Sequence, residues 1–213
     1  MSISVSMDLR GKLGEARDQR QRPTCLAFAA SAAHEASRTT TEYLSTEYLF
    51  YMGSQRSHGD PNRGLTEAAI RAALHENGQP AETSWPYGKE SPDVATWKPP
   101  AKIDPCYRAA LDFAPRTAAE LSAVVVGGKP VIVVLAVTLA MYTPDSSGVV
   151  RSHPGDTVTA RKHAMLAVGS GRGNDGEYIL VRNSWGREWG ADGHGWLHHD
   201  YLNAHAHTTA VIS

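Results

Sequence analysis

Cys25 opens the run Cys25-Leu26-Ala27-Phe28-Ala29-Ala30, and Leu26, Ala29, Ala30 and Ala33 then recur at three- and four-residue steps. That is the period of a helix, and it predicts one over 24 to 38 with a thiol in its first turn. Phe28 and Ala32 widen the apolar face, which suits a central and mostly buried helix. Further helices are expected near 45 to 53 and from Thr66 to Glu76, the latter stopped by Asn77-Gly78. Six of the twelve prolines fall between Pro80 and Pro105, so that stretch is expected to run extended as a crossover.

The second half reads differently. Thr117-Ala-Ala-Glu120 is a capping-box pattern opening a short helix that Gly127-Gly128 ends, and Pro130 to Val137 is a continuous apolar, β-branched run expected to be a buried strand. Two more strands, roughly 163 to 169 and 177 to 183, flank Gly171-Arg-Gly-Asn-Asp-Gly176, which has the chemistry of a hairpin turn. A glycine-rich phosphate loop does not fit there, because a strand-like segment follows where a nucleotide loop requires a helix start.

Composition excludes several classes of partner. Twenty-one basic against 22 acidic residues leave a formal charge of −1, which argues against nucleic acid or an anionic membrane as a partner. No stretch approaches the ~18 apolar residues of a membrane span, and no basic start with a long apolar run opens the chain, so a cytoplasmic location is expected. Cys25 and Cys106 are the only cysteines and are expected to be free thiols in a reducing compartment. His198, His199, His205 and His207 lack a carboxylate or cysteine at ligand spacing and read as free histidines of a polar tail. No metal or other cofactor is expected.

Four residues in one order carry a chemistry. Gln19 lies six positions before Cys25, and far downstream come His163-Ala-Met-Leu-Ala-Val-Gly and Asn183-Ser-Trp-Gly-x-x-Trp-Gly. With Asp18-Gln19 and Cys-x-Ala-Phe-Ala, this set resembles the papain-like cysteine peptidases, in particular a bacterial-type member, over most of the chain. The resemblance implies an α+β, papain-like two-lobe fold in one domain, 1–213. A helical lobe of about 24–110 would face a β-barrel-like lobe of about 1–23 and 111–213 across the active cleft.

It also implies roles. Cys25 is the nucleophile, made a thiolate by the helix N-terminus and an imidazolium. His163 is the base that keeps its proton and hands it to the leaving amine. Asn183 orients the imidazole by a hydrogen bond that Trp185 shields from water. Gln19 and the Cys25 backbone N–H stabilise the oxyanion. Gly64, Leu65 and Trp185 are the candidate substrate-binding residues. Asn62-Arg63-Gly64-Leu65 stands where relatives have a glycine-rich stretch that pairs with extended substrate, although a plain helix-entry turn explains it equally well. The chain departs from the family word at Arg22, Pro23 and Leu26, where a cysteine, a glycine and a tryptophan are usual. The missing cysteine removes half of a disulfide common among secreted relatives, which fits a reduced compartment.

Peptide-bond hydrolysis through a thioester is the expected reaction, with a peptide or protein as substrate. An acyl or peptidyl transferase or a deamidase would use the same triad. A non-catalytic scaffold of this fold would usually have lost a catalytic residue, and none is lost here. The chain reaches its cysteine by residue 25, so no inhibitory propeptide is expected. Control would then come from a separate inhibitor or activator protein, or the chain is a domain excised from a longer one.

Overall fold

The computed structural model describes residues 2–38, 42–103, 106–151 and 156–213. Helix α1 (Cys25–Ser37) is buried from Leu26 through Ala36 and packs against helices α2 (Thr46–Gln55) and α3 (Glu67–Ala72) on one side and the sheet on the other. Its alanines make this close approach possible, because a small side chain lets a neighbouring backbone come near on every face. The polar groups it buries are satisfied: Gln79 accepts at Oε1 opposite His34 Nδ1 (3.0 Å) and donates from Nε2 to Ser31 Oγ (2.7 Å). Ser45 and Thr66 cap α2 and α3 by accepting from Tyr48 and Ala69 backbone N–H groups.

The predicted third helix does not end as a plain α-helix. After Ala72 the chain widens into a π-helical turn, Ala73–Asn77, and stops at Gly78 with φ +73°. A Cβ there would run into the Tyr107 carbonyl, so only glycine fits both the backbone angle and the space. The proline-rich stretch holds one short 3-10 turn, Glu82–Ser84, and otherwise runs without regular structure over α2. Trp85 and Trp97 anchor it, with rings 5.5 and 5.0 Å from that of Tyr51. The end of the stretch at 104–105 lies outside the described residues.

One seven-stranded antiparallel sheet forms the remainder. It holds β1 (Ser4–Asp8), β2 (Leu111–Ala114), β3 (Val131–Thr138), β4 (Val158–Gly173), β5 (Gly176–Arg182), β6 (His194–His198) and β7 (Ala206–Ile212). The order is β2-β7-β3-β4-β5-β6, with β1 paired to β4. Helix α4 (Ala118–Val126) begins with the expected capping box of Thr117 and Glu120, and α5 (His199–His205) links β6 to β7. The N-terminal segment thus joins the sheet as expected, and the architecture is mixed α+β. The sheet is open where a barrel-like lobe was expected: β2 and β6 are its two ends and do not pair with each other.

Three expectations need correction. Strand β4 starts at Val158, earlier than 163, because Val158 to Lys162 are solvent-facing yet their backbone still pairs with β3. Gly171 is a strand residue opposite Tyr178, and the turn tightens to Asn174-Asp175. Gly171 and Gly169 instead admit β1, since a Cβ at either would lie within 2.9 Å of a β1 carbonyl. The C-terminal histidines also do not form a polar tail. His198 caps α5 by accepting from Asp200 N–H, and His207 sits on β7.

Glu35, buried on α1, has its carboxyl pushed up to about 7 by burial, against the pull of the Leu44 N–H and the Arg17 and Arg182 guanidinium groups. Its ordinary value is 4.5, so the folded chain holds this proton more tightly than the unfolded chain does. The resulting penalty is absent below 4.5 and complete above about 7. Glu35→Gln is therefore expected to stabilise the protein by roughly 3 kcal/mol at pH 8 and not at pH 4.5, read by urea unfolding at both. His194, pushed down to about 4 by burial, acts in the opposite sense, losing stability as pH falls from 6.5. The variant should then show the acid sensitivity that Glu35 masks in the wild type.

Candidate active site

Cys25 is the first residue of α1, so its backbone N–H and those after it have no acceptor one turn back. The usual capping device is withheld. Thr24 precedes the helix without a side-chain cap bond, and its hydroxyl lies instead against Tyr87 Oη at 2.7 Å. Tyr87 Oη spends its own proton on the Gln19 carbonyl (2.9 Å), which leaves Thr24 as donor to Tyr87. The open N-terminus of α1 is thereby left to the sulfur and to the cleft.

His163 lies on β4, opposite Leu135 of β3, and is buried with its ring directed at Cys25. Burial pushes the Cys25 thiol up. The His163 hydrogen bond and charge, with the Ala164 and Leu26 backbone N–H groups, outweigh burial and hold it below the ordinary value of 9.0. The geometry thus shifts the thiol toward ionisation.

Asn183 follows β5 and accepts at Oδ1 from His163 Nε2 at 2.7 Å and from the Ser184 backbone N–H at 2.8 Å. A backbone N–H can only donate, so the atom facing it is the amide oxygen, and the imidazole must carry its proton on Nε2. Nδ1 is then the nitrogen presented to Cys25. Trp185 covers this bond, its ring 4.7 Å from that of His163 and itself stacked on Tyr142 at 5.2 Å and 4°. Asn183 Nδ2 is buried without a hydrogen-bond partner among the described residues, beside a small cavity of about 20 Å³ of mixed lining that includes Ser31, Glu35, Phe28 and Met165.

Gln19 is 7% exposed and locked from three directions. Its Oε1 accepts from Ser184 Oγ (2.6 Å), its Nε2 donates to the Arg22 carbonyl (2.7 Å), and its backbone N–H donates to the Ser184 carbonyl (2.8 Å). The amide has a second N–H, and Gln19 lines the same cavity as Cys25 and His163.

Sequence patterns assign no role to Ser184, Tyr87 or Glu47, yet all three position this site. Ser184 is held in view by the Asn-Ser-Trp-Gly string and ties Gln19 to Asn183. Arg22, standing where the family has a cysteine, is buried and pairs bidentately with Glu47 of α2 (2.5 and 2.8 Å) while donating to the Gly88 carbonyl (2.8 Å). Trp97 Nε1 completes the Glu47 carboxylate at 2.8 Å. The bidentate ion pair and the bond to Gly88 thus tether the segment before the nucleophile.

The cleft has two arms that meet at Cys25 and His163. One, of about 590 Å³, is lined by Leu26, Gly64, Leu65, Thr66, Val134 and His207 among others, and the second, of about 720 Å³, by Gln19, Val137, Tyr142, Arg161, Lys162 and Trp185. Gly64 borders both and Leu65 the first. The Gly64 carbonyl is already used: Asp60 N–H donates to His58 Nδ1, so His58 Nε2 carries the proton and donates to that carbonyl at 3.2 Å. Among the described residues the Gly64 N–H has no such partner. His207, expected in a polar tail, lines the cleft, a placement invisible without the β7 register.

A family model described as papain family cysteine protease matches residues 3–212. Curated relatives include cysteine proteinase COT44 of Brassica napus (26% identical over 208 residues, 90% of this chain and 58% of that protein). Cathepsin L2 of Homo sapiens is 26% identical over 199 residues, covering 90% and 59%. The chain spans less than two thirds of the length of these relatives. Among solved structures, xylellain, a cysteine protease from Xylella fastidiosa, superposes with a TM-score of 0.79 at 22% identity, over 100% of this chain and 87% of the other. The proform of the ragweed pollen allergen Amb a 11 cysteine protease gives 0.75 at 21%, over 97% and 65%. These two establish the shared fold.

The site geometry sets the pH behaviour of the thiol. Alkylation of Cys25 by iodoacetamide, followed by peptide mass mapping, is expected to fall off at a lower pH in the folded protein than in the guanidinium-unfolded chain. In His163→Ala the burial that raises the thiol is no longer offset by the imidazole, so the folded variant should react only at high pH.

Proposed function

The chain belongs to the papain family of cysteine proteases, and on that premise we propose that it hydrolyses peptide bonds with Cys25 as nucleophile. The observation that carries the reading is the oriented pair: Asn183 Oδ1 accepts a hydrogen bond from His163 Nε2–H, so Nδ1 of His163 faces the sulfur. Cys25 gives its proton to His163 Nδ1, and the thiolate attacks the scissile carbonyl carbon. The carbonyl π electrons move to oxygen, where the Gln19 Nε2–H and the Cys25 backbone N–H stabilise the charge. Collapse breaks the C–N bond, the nitrogen takes the proton from His163, and the amine leaves with a thioester behind it. Water then gives a proton to His163, adds to the thioester and expels the thiolate, leaving a carboxylic acid.

The substrate on this reading is a peptide or protein held across both arms of the cleft, with Gly64 and Leu65 on one side and Trp185 on the other. Residues 1–213 act as one peptidase domain whose helical part supplies Cys25 and whose sheet supplies His163 and Asn183. Two free thiols support a reducing, cytoplasmic setting, and the likeness to xylellain supports a bacterial-type member. Among the described residues no helix is long and apolar enough to cross a membrane. A separate inhibitor or activator protein goes with that setting as the means of control.

Treatment with an epoxysuccinyl thiol inhibitor is expected to add one adduct, on Cys25, by intact mass, and Cys25→Ala should abolish turnover of a quenched fluorescent peptide. Gln19→Ala is expected to lower kcat by roughly 10²- to 10³-fold with KM nearly unchanged, since it removes a donor used only in the transition state. Full peptidase activity in Cys25→Ala would sink the reading.

A further inference from the structure

The arm of the cleft lined by Trp185 carries features the reaction does not require. Tyr142 lies flat on Trp185 at 5.2 Å and is 46% exposed, so the two rings form an aromatic floor open to solvent, with Val137 beside it. Leu139 and Val158, 59% and 46% exposed, adjoin the same end of the β3–β4 pair. The rim is cationic. Arg161 and Lys162 stand exposed on β4 next to His163, and neither makes an ion pair among the described residues. The arm's one acid, Asp18, is spent on Arg20 at 3.1 Å, and Arg20 is held with φ +56°. In a chain whose formal charge is −1 this concentration of uncompensated positive charge is local.

We propose that this arm is a leaving-group subsite that selects a peptide with an apolar residue on the Tyr142–Trp185 floor followed by a carboxylate at Arg161 and Lys162. The inference rests on the peptidase reading. The nitrogen that receives the His163 proton departs beside the ring that Trp185 covers, so the half of the substrate C-terminal to the cut lies over this floor. Apolar surface supplies affinity there, and the two cations supply selection by charge complementarity. A carboxylate reaches that position from two sources, a free C-terminus or an Asp or Glu side chain. The first makes the enzyme a trimmer of chain ends, the second a cutter ahead of acidic segments.

The test uses three fluorescein-labelled peptides with one common acyl half and a Leu leaving residue, ending in Leu-Ala-amide, Leu-Ala with a free carboxylate, or Leu-Glu-amide. Polarisation titrations on Cys25→Ala measure binding without turnover. At least one carboxylate peptide is expected to bind about fivefold tighter than the neutral amide at low salt. That advantage should shrink in 0.5 M NaCl, about where the Debye length falls to ~4 Å, and collapse in Arg161→Gln/Lys162→Gln on the same background. Preference for the free terminus alone or for Glu alone assigns the source. Equal affinity for all three peptides, or an advantage that survives the double substitution, overturns the proposal. Epoxysuccinyl labelling of the wild type is read separately: absence of an adduct on Cys25 would sink the peptidase reading and leave the binding result standing.

Discussion

The hydrogen bond from His163 Nε2 to Asn183 Oδ1 decides which nitrogen reaches Cys25, and the rest of the site is arranged so that it forms in one orientation only. Its direction is not chosen by the two side chains themselves, since an imidazole and an amide are both ambiguous. The Ser184 backbone N–H settles it by requiring an oxygen. With the 2.7 Å bond under Trp185 and the ring buried, competing water is kept from it and the low local dielectric strengthens it. Once Nδ1 faces the sulfur, its attraction and two backbone N–H groups outweigh the burial that would otherwise keep the thiol protonated.

That bond joins parts of the chain that are far apart. Ser184 donates from its hydroxyl to Gln19 and through its backbone to Asn183, so the oxyanion donor and the orienting residue move as a unit. Gln19 in turn rests on the Arg22 carbonyl, and the Arg22 side chain is pinned by Glu47, Gly88 and the Tyr87 ring. A buried bidentate ion pair is costly to desolvate and specific in geometry, so it constrains position more than it adds net stability. Standing where a cysteine is usual, it tethers the nucleophile's leading segment by a bond that a reducing medium cannot break.

The central helix, the capping box at Thr117 and the strand from 131 were legible because each is set by local pattern: apolar steps of three and four, a Ser/Thr-x-x-Glu word, a β-branched run. Cys25, His163 and Asn183 were legible because their neighbouring words are fixed by tight packing around the site. The early start of β4 was not, since Val158 to Lys162 face solvent and nothing in their residue types reports pairing by backbone alone. Gly171 read as turn for the same reason, its need being the close approach of β1 from the far end of the chain. Glu47 as partner of Arg22 and His207 as a cleft residue depend on long-range register, which no local window contains. The open edges of the sheet belong to that class too.

The central claim is a tautomer, and it is measured most directly by long-range ¹H–¹⁵N correlation spectra of the protein labelled at histidine nitrogens. Cys25→Ala removes the sulfur that faces the ring, and His163→Ala assigns the signal. The account requires His163 to carry its proton on Nε2, with Nδ1 resonating as an unprotonated nitrogen, and Ser184 backbone exchange to be slow. A ring protonated on Nδ1, or an even mixture of the two tautomers, would contradict it.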